Sequence, residues 1–386
     1  MSVTGTLSRT NSASVLPARS PVPGTTRPPT PLKELRCAPS LEELKTKPVR
    51  VGLKDRSCLT LLDYTREEIS FLLELAEALK FRRKVRRSDQ IENPLLRSKN
   101  VALIFEKDST RTRCAFEVAC YDEGAKVTNL NSASSHIGKK ESVEDTGKTL
   151  GRMFDGLQYR GKMQETVQTL AKVAGVPVFN GLTDWYHPTQ ALADLLTIRE
   201  MSRQPFEKTR VCFVGDVRNN VSFSLAAACA KLGLKFVGVG PLEYQFTADQ
   251  MATLRAVCAK SKGGSVSQTS DLEGVRGATV VYTDVWVSMG DETETEERIK
   301  ALLPYKVDRS LMDMTGNDRC LFMHCLPSFH DLNTATALSV FDSTGLRELE
   351  VSDEVFRSPQ SVVFDQAENR LHTIKALMVA SLSDEF

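Results

Sequence analysis

Short, nearly unbroken apolar runs recur along the chain, each followed by a stretch with apolar residues at helical spacing. Val101-Ala102-Leu103-Ile104-Phe105 is such a run, and about four to eight apolar residues in a row suit a strand buried on both faces. A helix through Phe116, Val118 and Ala119 follows it. Lys126–Leu130, Gly156–Tyr159 and Val176–Phe179 read as further strands, and Thr189 to about Met201 as a long helix with no strong break before Pro205. A second series opens with the strand Arg210–Val214 and a turn at Gly215-Asp216. It continues with helices over Ser224–Leu232 and Gln250–Ser261 and strands over Lys235–Val239, Thr279–Thr283 and Leu321–His324. Upstream, Thr65-Arg66-Glu67-Glu68 is a capping box, and Ile69, Leu72, Leu73, Ala76 and Leu79 give its helix a buried face. The basic run Arg82, Arg83, Lys84, Arg86, Arg87 reads as the solvated end of that helix. Strands alternating with helices imply parallel sheets covered on both faces. The expected fold is α/β: two doubly wound parallel-sheet domains joined by the long helix, with a cleft between them.

Residues 1–31 break the pattern. They hold eleven Ser or Thr and six Pro, and no acidic residue precedes Glu34. Such a segment has too little apolar surface to offset its ordering entropy, which predicts a disordered arm over residues 1–50. Arg9, Arg19 and Arg27 in a Ser-rich, acid-free leader also fit an organelle transit peptide. Pro17, Pro21, Pro23, Pro28 and Pro29 obstruct the amphipathic helix that such leaders form. The reading is an untargeted tail on a cytoplasmic protein, with a mitochondrial location as the alternative.

Composition narrows the function classes. The chain has 386 residues, 41% apolar and 26% charged, enough for two domains of about 150 residues each. Fifty Lys plus Arg against 49 Asp plus Glu leave a net charge of +1, with no overall basic footprint for nucleic acid. No apolar run approaches the roughly 18 residues of a membrane helix. Nine Cys without a C-x-x-C pair and only five His give neither a disulfide framework nor metal-ligand spacing, so no metal is expected.

Chemistry-bearing residues gather just past the predicted strand ends. Ser109-Thr110-Arg111-Thr112-Arg113 follows the first strand and opens a helix. A helix N-terminus carries unpaired N–H groups and partial positive charge, and guanidiniums bind phosphate oxygens in bidentate fashion. The strand–turn–helix context favours this anion site over a plain cap with exposed arginines. Arg160 ends another strand, and His187-Pro188-Thr189-Gln190 leads into the long helix. There His187 can donate to a carbonyl oxygen and Gln190 can hold an amide. Gly215-Asp216-Val217-Arg218-Asn219-Asn220 stands where a nucleotide-binding turn would, but it lacks G-x-G-x-x-G, which argues against a nicotinamide-dependent dehydrogenase. Its two amides suit a carboxylate better. Asp284 sits at a strand's carboxyl end, and Cys325 in His324-Cys325-Leu326-Pro327 is either a reactive thiolate or a buried small hydrophobe.

Together these motifs resemble the aspartate/ornithine carbamoyltransferase family. The likeness runs from about Leu59 to Leu382 and includes Phe364-Asp365-Gln366-Ala367-Glu368-Asn369-Arg370; residues 332–347 match poorly. Within the family, Asp284-Val285-Trp286-Val287-Ser288-Met289-Gly290 is similar to the ornithine-type signature. The resemblance implies a carbamoyl-phosphate domain over residues 51–198, completed by a C-terminal helix (about 365–386) crossing back, and an ornithine domain over 199–364. It implies transfer of a carbamoyl group from carbamoyl phosphate to the δ-amine of L-ornithine, without cofactor, by a homotrimer or a multiple of trimers. Ser109, Thr110, Arg111, Thr112, Arg113 and Arg160 would clamp the phosphate. Arg160, Thr112 and His187 would hold the carbonyl oxygen and Gln190 the carbamoyl amide, with Arg370 supplied from the C-terminal helix. His136 would reach a neighbouring subunit's phosphate. Asn220, Asp284, Ser288 and Met289 would bind ornithine, and Cys325 and Leu326 would sit at the reaction centre. Arg160, His187, Asp284 and Cys325 are the implied catalytic set.

Overall fold

The computed structural model describes residues 39–85, 91–131, 140–261, 263–287 and 295–386. Two parallel sheets organise the chain. The first contains β1 (Asn100–Phe105), β2 (Lys126–Asn131), β3 (Gly156–Arg160) and β4 (Val178–Leu182), in the order β2-β1-β3-β4. The second contains β5 (Arg210–Val214), β6 (Lys235–Val239), β7 (Ser265–Thr269), β8 (Val280–Thr283) and β9 (Leu321–His324), in the order β7-β6-β5-β8-β9. Pairing within both sheets is parallel, so each new strand is reached by a crossover.

Around the first sheet lie α1 (Leu41–Lys45), α2 (Arg66–Val85), α3 (Thr110–Asp122), α4 (Val143–Leu150) and α5 (Gln164–Val173). The long helix α6 (Pro188–Ser202) joins the two sheets. The second sheet is accompanied by α7 (Asn220–Leu232), α8 (Ala248–Lys260), α9 (Thr295–Leu302), α10 (Arg309–Met314), α11 (Ala335–Thr344) and α12 (Asp353–Phe356). The last helix, α13 (Val363–Leu382), returns to pack on α6, α2 and α3. The expected architecture therefore holds, including the helix that crosses back.

The apolar pattern does not predict β7, and the reason is its position. Ser265-Val266-Ser267-Gln268-Thr269 is an edge strand without a fully buried residue, so no apolar run marks it. β4 starts at Val178 rather than Val176, past Pro177, which has no N–H for the ladder.

Two expectations are corrected. The arm predicted to be disordered through residue 50 is folded from Ser40, whose hydroxyl and Glu43 form a reciprocal cap on α1. Leu44 and Leu53 are buried, and Leu41 and Val49 pack against the core they join; this apolar surface offsets the ordering entropy that the segment before it cannot. Residues 1–38 lie outside the described residues. The basic end of α2 is also not simply solvated. Arg82 bonds Glu123 and Arg83 bonds Asp122 at 2.6 Å, and both carboxylates are 1% exposed. Arg86 and Arg87 lie outside the described residues. The poorly matching stretch 332–347 contains α11, capped by Thr334 and ended by Gly345 in the left-handed region. No described helix is long and apolar enough to cross a membrane.

α13 is buried nearly all round, so its polar residues need internal partners. Lys80 of α2, 1% exposed, donates to both Glu200 oxygens at 2.8 Å and to Asn369 Oδ1 at 2.7 Å. Lys375, with no side-chain exposure, meets Asp122 at 2.6 Å and Glu123 at 3.9 Å. Asp122→Ala removes the nearer carboxylate of a buried ammonium. The expected loss is about 3–5 kcal/mol of unfolding free energy, read by urea titration; a loss under about 1 kcal/mol would show that this pair does not pin α13 to α3.

Candidate active site

In each sheet the strand order reverses between two neighbours, β1 and β3 in the first and β5 and β8 in the second. Chain segments leaving such a pair diverge and open a crevice at the carboxyl ends of the strands. β1 leads to Ser109–Arg113 and β3 ends in Arg160; β5 leads to Asn219-Asn220 and β8 to Asp284. β9, beside β8, ends at His324 and is followed by Cys325. The turn after β5 needs Gly215, which has φ +109° and would bring a Cβ to 3.1 Å from Trp286 Nε1.

The wall contributed by the first sheet and α13 is cationic. Ser109 caps α3 by accepting from the Thr112 N–H at 3.3 Å. Thr112 Oγ1, with no exposure, accepts from Arg160 Nη1 at 3.4 Å and from Arg370 Nη2 at 3.0 Å. With both acceptor positions filled, its own hydroxyl proton is left to donate elsewhere. Arg370, reaching in from α13, also donates to Gln190 Oε1 at 2.8 Å and to Thr189 Oγ1 at 3.4 Å. Burial first, and Arg160 second, push the Arg370 guanidinium down to about 10. Burial likewise pushes Arg160 down to about 10. Both remain charged at neutral pH.

His187 lies against these charges and is 4% exposed. Burial, then Arg370, Arg160 and Arg111, hold its ring well below the usual histidine range. It is therefore a neutral imidazole at pH 7, able to donate one N–H. Pro188 starts α6 where a missing N–H costs nothing, and the backbone N–H of His187 is held by Ser224 Oγ at 2.8 Å, leaving the ring N–H uninvolved in that bond. Among the described residues, Arg113 Nε, Arg160 Nε, Arg370 Nε and His187 Nδ1 are buried without a hydrogen-bond partner. Arg113 packs its guanidinium 5.1 Å from the Phe105 ring centre.

The facing wall is acidic. Cys325 Sγ donates to Asp284 Oδ1 at 3.0 Å, the Val285 N–H donates to the same oxygen at 2.8 Å, and Asn219 Nδ2 donates to Oδ2 at 3.4 Å. Burial raises the Asp284 carboxyl, partly offset by the bonds from Cys325 and Val285. Burial and the Asp284 charge push the Cys325 thiol well above its ordinary value. Of the two expectations for Cys325, neither thiolate nor inert filler describes it; it is a protonated thiol, partly exposed, donating to a carboxylate. Leu326 has φ +61°, unusual for a branched side chain. Its N–H is held by His324 Nδ1 at 2.9 Å and its carbonyl by Arg111 Nη2 at 2.7 Å. Since Nδ1 accepts, the His324 proton is on Nε2, which donates to Glu350 Oε1 at 3.2 Å. The Arg111–Leu326 bond ties the two walls together.

The structure thus gathers Ser109, Arg111, Thr112, Arg160, His187, Gln190 and Arg370 on one side and Asp284, Cys325 and Leu326 on the other. Asn220 is less directly placed: its Nδ2 is given to the Thr183 carbonyl at 2.5 Å, and Asn219 is the amide that reaches Asp284. His136, Ser288 and Met289 lie outside the described residues. A family model for the carbamoyl-P binding domain of aspartate/ornithine carbamoyltransferases matches residues 56–200, and one for the Asp/Orn binding domain matches residues 207–381.

The chain belongs to the aspartate/ornithine carbamoyltransferase family.

It is 50% identical over 335 residues to an ornithine carbamoyltransferase of Staphylococcus aureus (strain Newman), covering 86% of this chain and 99% of that one. A catabolic ornithine carbamoyltransferase of Clostridium perfringens is 52% identical over 333 residues, covering 86% and 98%. Among solved structures, the ornithine carbamoyltransferase from Pyrococcus furiosus superposes with a TM-score of 0.77 at 40% identity, covering 86% of this chain and 98% of that one. The family resemblance and the two-sheet fold expected from the motifs are confirmed.

Sequence reasoning paired Asn219 with Asn220 as carboxylate-binding amides but gave the ornithine role to Asn220 alone, quoted Gln366 only within a motif, and passed over Glu350, Asp194 and Tyr282. A signal for Asp194 was present: it is the one acid in the apolar run Ala191-Leu192-Ala193-Asp194-Leu195-Leu196. Donor atoms of Asp284, His324 and Cys325 lie within 4.8 Å of one another. Both His324 nitrogens are already engaged, and the thiol proton is given to Asp284, so these groups satisfy one another. The similar group His330, Asp331 and Asp353 is bonded by Arg357.

The thiol's state can be read chemically. At pH 8, iodoacetamide is expected to label Cys325 more slowly than the exposed Cys114, followed by mass spectrometry of peptides. Asp284→Asn removes the charge that holds the thiol proton, so Cys325 labelling should speed up by about threefold or more. An unchanged or slower rate would mean that the carboxylate does not govern this thiol.

Proposed function

We propose that the chain is an ornithine carbamoyltransferase, moving the carbamoyl group of carbamoyl phosphate to the δ-amine of L-ornithine to give L-citrulline and phosphate. The observation that carries the reading is the convergence of Arg111, Arg160, Arg370, Thr112 and a neutral His187 opposite the Asp284–Cys325 pair. The names of the relatives at 50–52% identity agree with it. In this reading residues 51–198 with about 365–386 form the carbamoyl-phosphate half, and 199–364 the ornithine half.

Carbamoyl phosphate is a mixed anhydride whose phosphate leaves readily, so positioning and charge stabilisation supply the catalysis. The N-terminal turn of α3, with Ser109–Arg113, and Arg160 hold the phosphate. The free Thr112 hydroxyl proton, Arg160 and the His187 N–H meet the carbonyl oxygen as it gains negative charge. A charged His187 would add a fourth cation beside three guanidiniums, which is why the neutral ring serves here. Gln190 holds the carbamoyl amide. The ornithine δ-amine, mostly protonated in water with a pKa of about 10, must lose a proton before its lone pair can attack. Asp284 and Cys325 orient it, and burial makes Asp284 the better acceptor for that proton. The C–N bond forms, the C–O bond to phosphate breaks, the electron pair leaves with phosphate, and the second amine proton, made acidic by the new bond, passes to the departing phosphate. Asn220, Ser288 and Met289 complete the ornithine site. The working unit is a homotrimer or a multiple of it, in which His136 reaches the phosphate of a neighbouring subunit.

Citrulline formation measured with ornithine, putrescine and acetylornithine tests the substrate. Ornithine is expected to be strongly preferred; equal or better use of putrescine would overturn the assignment. Arg160→Ala should lower kcat by on the order of 10²–10³, and activity within a few-fold of the parent would remove Arg160 from the site. Subunit sharing is tested by co-refolding His136→Ala chains with Arg160→Ala chains. Random mixing makes about one site in four doubly intact, so activity should recover towards a quarter of the parent's. No recovery in verified mixed trimers would place both residues in one subunit's site.

A further inference from the structure

Gln190 sits between two partners that leave its amide only one orientation. Arg370 Nη1, which can only donate, meets it at 2.8 Å, so the atom there is oxygen. At the other end Asp194 Oδ1 accepts from Nε2 at 2.8 Å. A reversed amide would set N–H against N–H at Arg370 and oxygen against the carboxylate at Asp194. In the observed orientation the oxygen keeps a second lone pair, which suits the NH₂ of a carbamoyl group.

Asp194 lies one turn beyond Gln190 on α6, has no exposure, and is held by more than this bond. Gln366 Nε2 donates to the same oxygen at 2.7 Å and Tyr282 OH at 3.4 Å. Gln366 Oε1 in turn accepts from the backbone N–H of His324 at 3.0 Å, next to Cys325. Burial pushes the Asp194 carboxyl up to about 7 against the effect of these donors. A leucine there would fill the space without that desolvation cost, so packing alone does not account for the acid.

We propose that Asp194 is a positioning residue for the carbamoyl group, locking the Gln190 amide with its oxygen towards the substrate. This rests on the assignment of Gln190 to the carbamoyl amide. Asp194 does not touch the reacting atoms; it acts through Gln190.

The test is a double-mutant cycle of Gln190→Ala and Asp194→Leu, with Asp194→Asn as the conservative variant, read by steady-state kinetics and thermal melting. Asp194→Leu should raise KM for carbamoyl phosphate about tenfold, with KM for ornithine changed by less than about twofold. In the Gln190→Ala background the same substitution should add less than about twofold, because its target is gone. Asp194→Asn keeps an accepting oxygen and should return KM to within about threefold of the parent. Multiplying effects in the double variant, or an Asn variant as impaired as Leu, would falsify the inference. An unchanged KM in Gln190→Ala sinks the Gln190 assignment instead, and the inference with it. Should Asp194→Leu not fold, Asp194→Ala carries the same cycle.

Discussion

A buried guanidinium sets the terms for the rest of the structure. Arg370 is 3% exposed, and a charge so far from water is tolerable only where acceptors surround it. Those acceptors come from separate stretches of chain: Thr112 at the start of α3, and Thr189 and Gln190 at the start of α6. Satisfying one side chain therefore fixes how α13, α3 and the linking helix α6 meet. The same charge acts on what surrounds it. It helps keep His187 unprotonated, and by filling an acceptor position on Thr112 it leaves that hydroxyl's proton free to donate.

Around Arg370, α13 carries a polar stripe at helical spacing: Gln366, Asn369, Arg370 and Thr373. Asn369 bonds Thr197 at 3.0 Å and Glu200 at 2.9 Å, beside the buried Lys80. Gln366 joins Asp194 of α6 to Tyr282 and His324 of the second sheet. The core of this region is thus specified by hydrogen-bond matching as much as by apolar packing. Networks this densely bonded accept few rearrangements. The walls of the crevice are accordingly held by one continuous set of bonds, with the half-buried Arg111–Leu326 contact at its end.

Much of this was legible in the sequence because the relevant signals are local. A buried parallel strand leaves an apolar run, and the residues past its carboxyl end face the crevice, so Ser109–Arg113, Arg160, Asp284 and Cys325 could be named from position alone. Three kinds of feature were not legible. β7 has no apolar run because it lies at an edge. The partners of Arg82 and Arg83 are acids some forty positions away, and only the packing of α2 and α3 on α13 brings them together. Asp194 looks like a misplaced acid until Gln366 and Tyr282 arrive from segments about 90 to 170 positions later. The choice between Asn219 and Asn220 also turned on helix geometry: Asn219 is the N-cap, and one residue of rotation sends its neighbour to Thr183. The resemblance supplied roles for His136, Ser288 and Met289 that the described residues do not reach.

That α13 completes the first half of the molecule has a consequence for biogenesis. Chains are made from the N-terminus, and early segments generally begin folding before late ones exist. Thr112, Gln190, Asp122 and Lys80 are all synthesised well before Arg370, Lys375 and Asn369, which bond them in the finished structure. Until the last helix emerges, the nascent first half holds polar groups that it can neither bury satisfied nor close over. It waits in a looser, hydrated form, and the cationic wall of the crevice lacks its third guanidinium, Arg370, until α13 has been made.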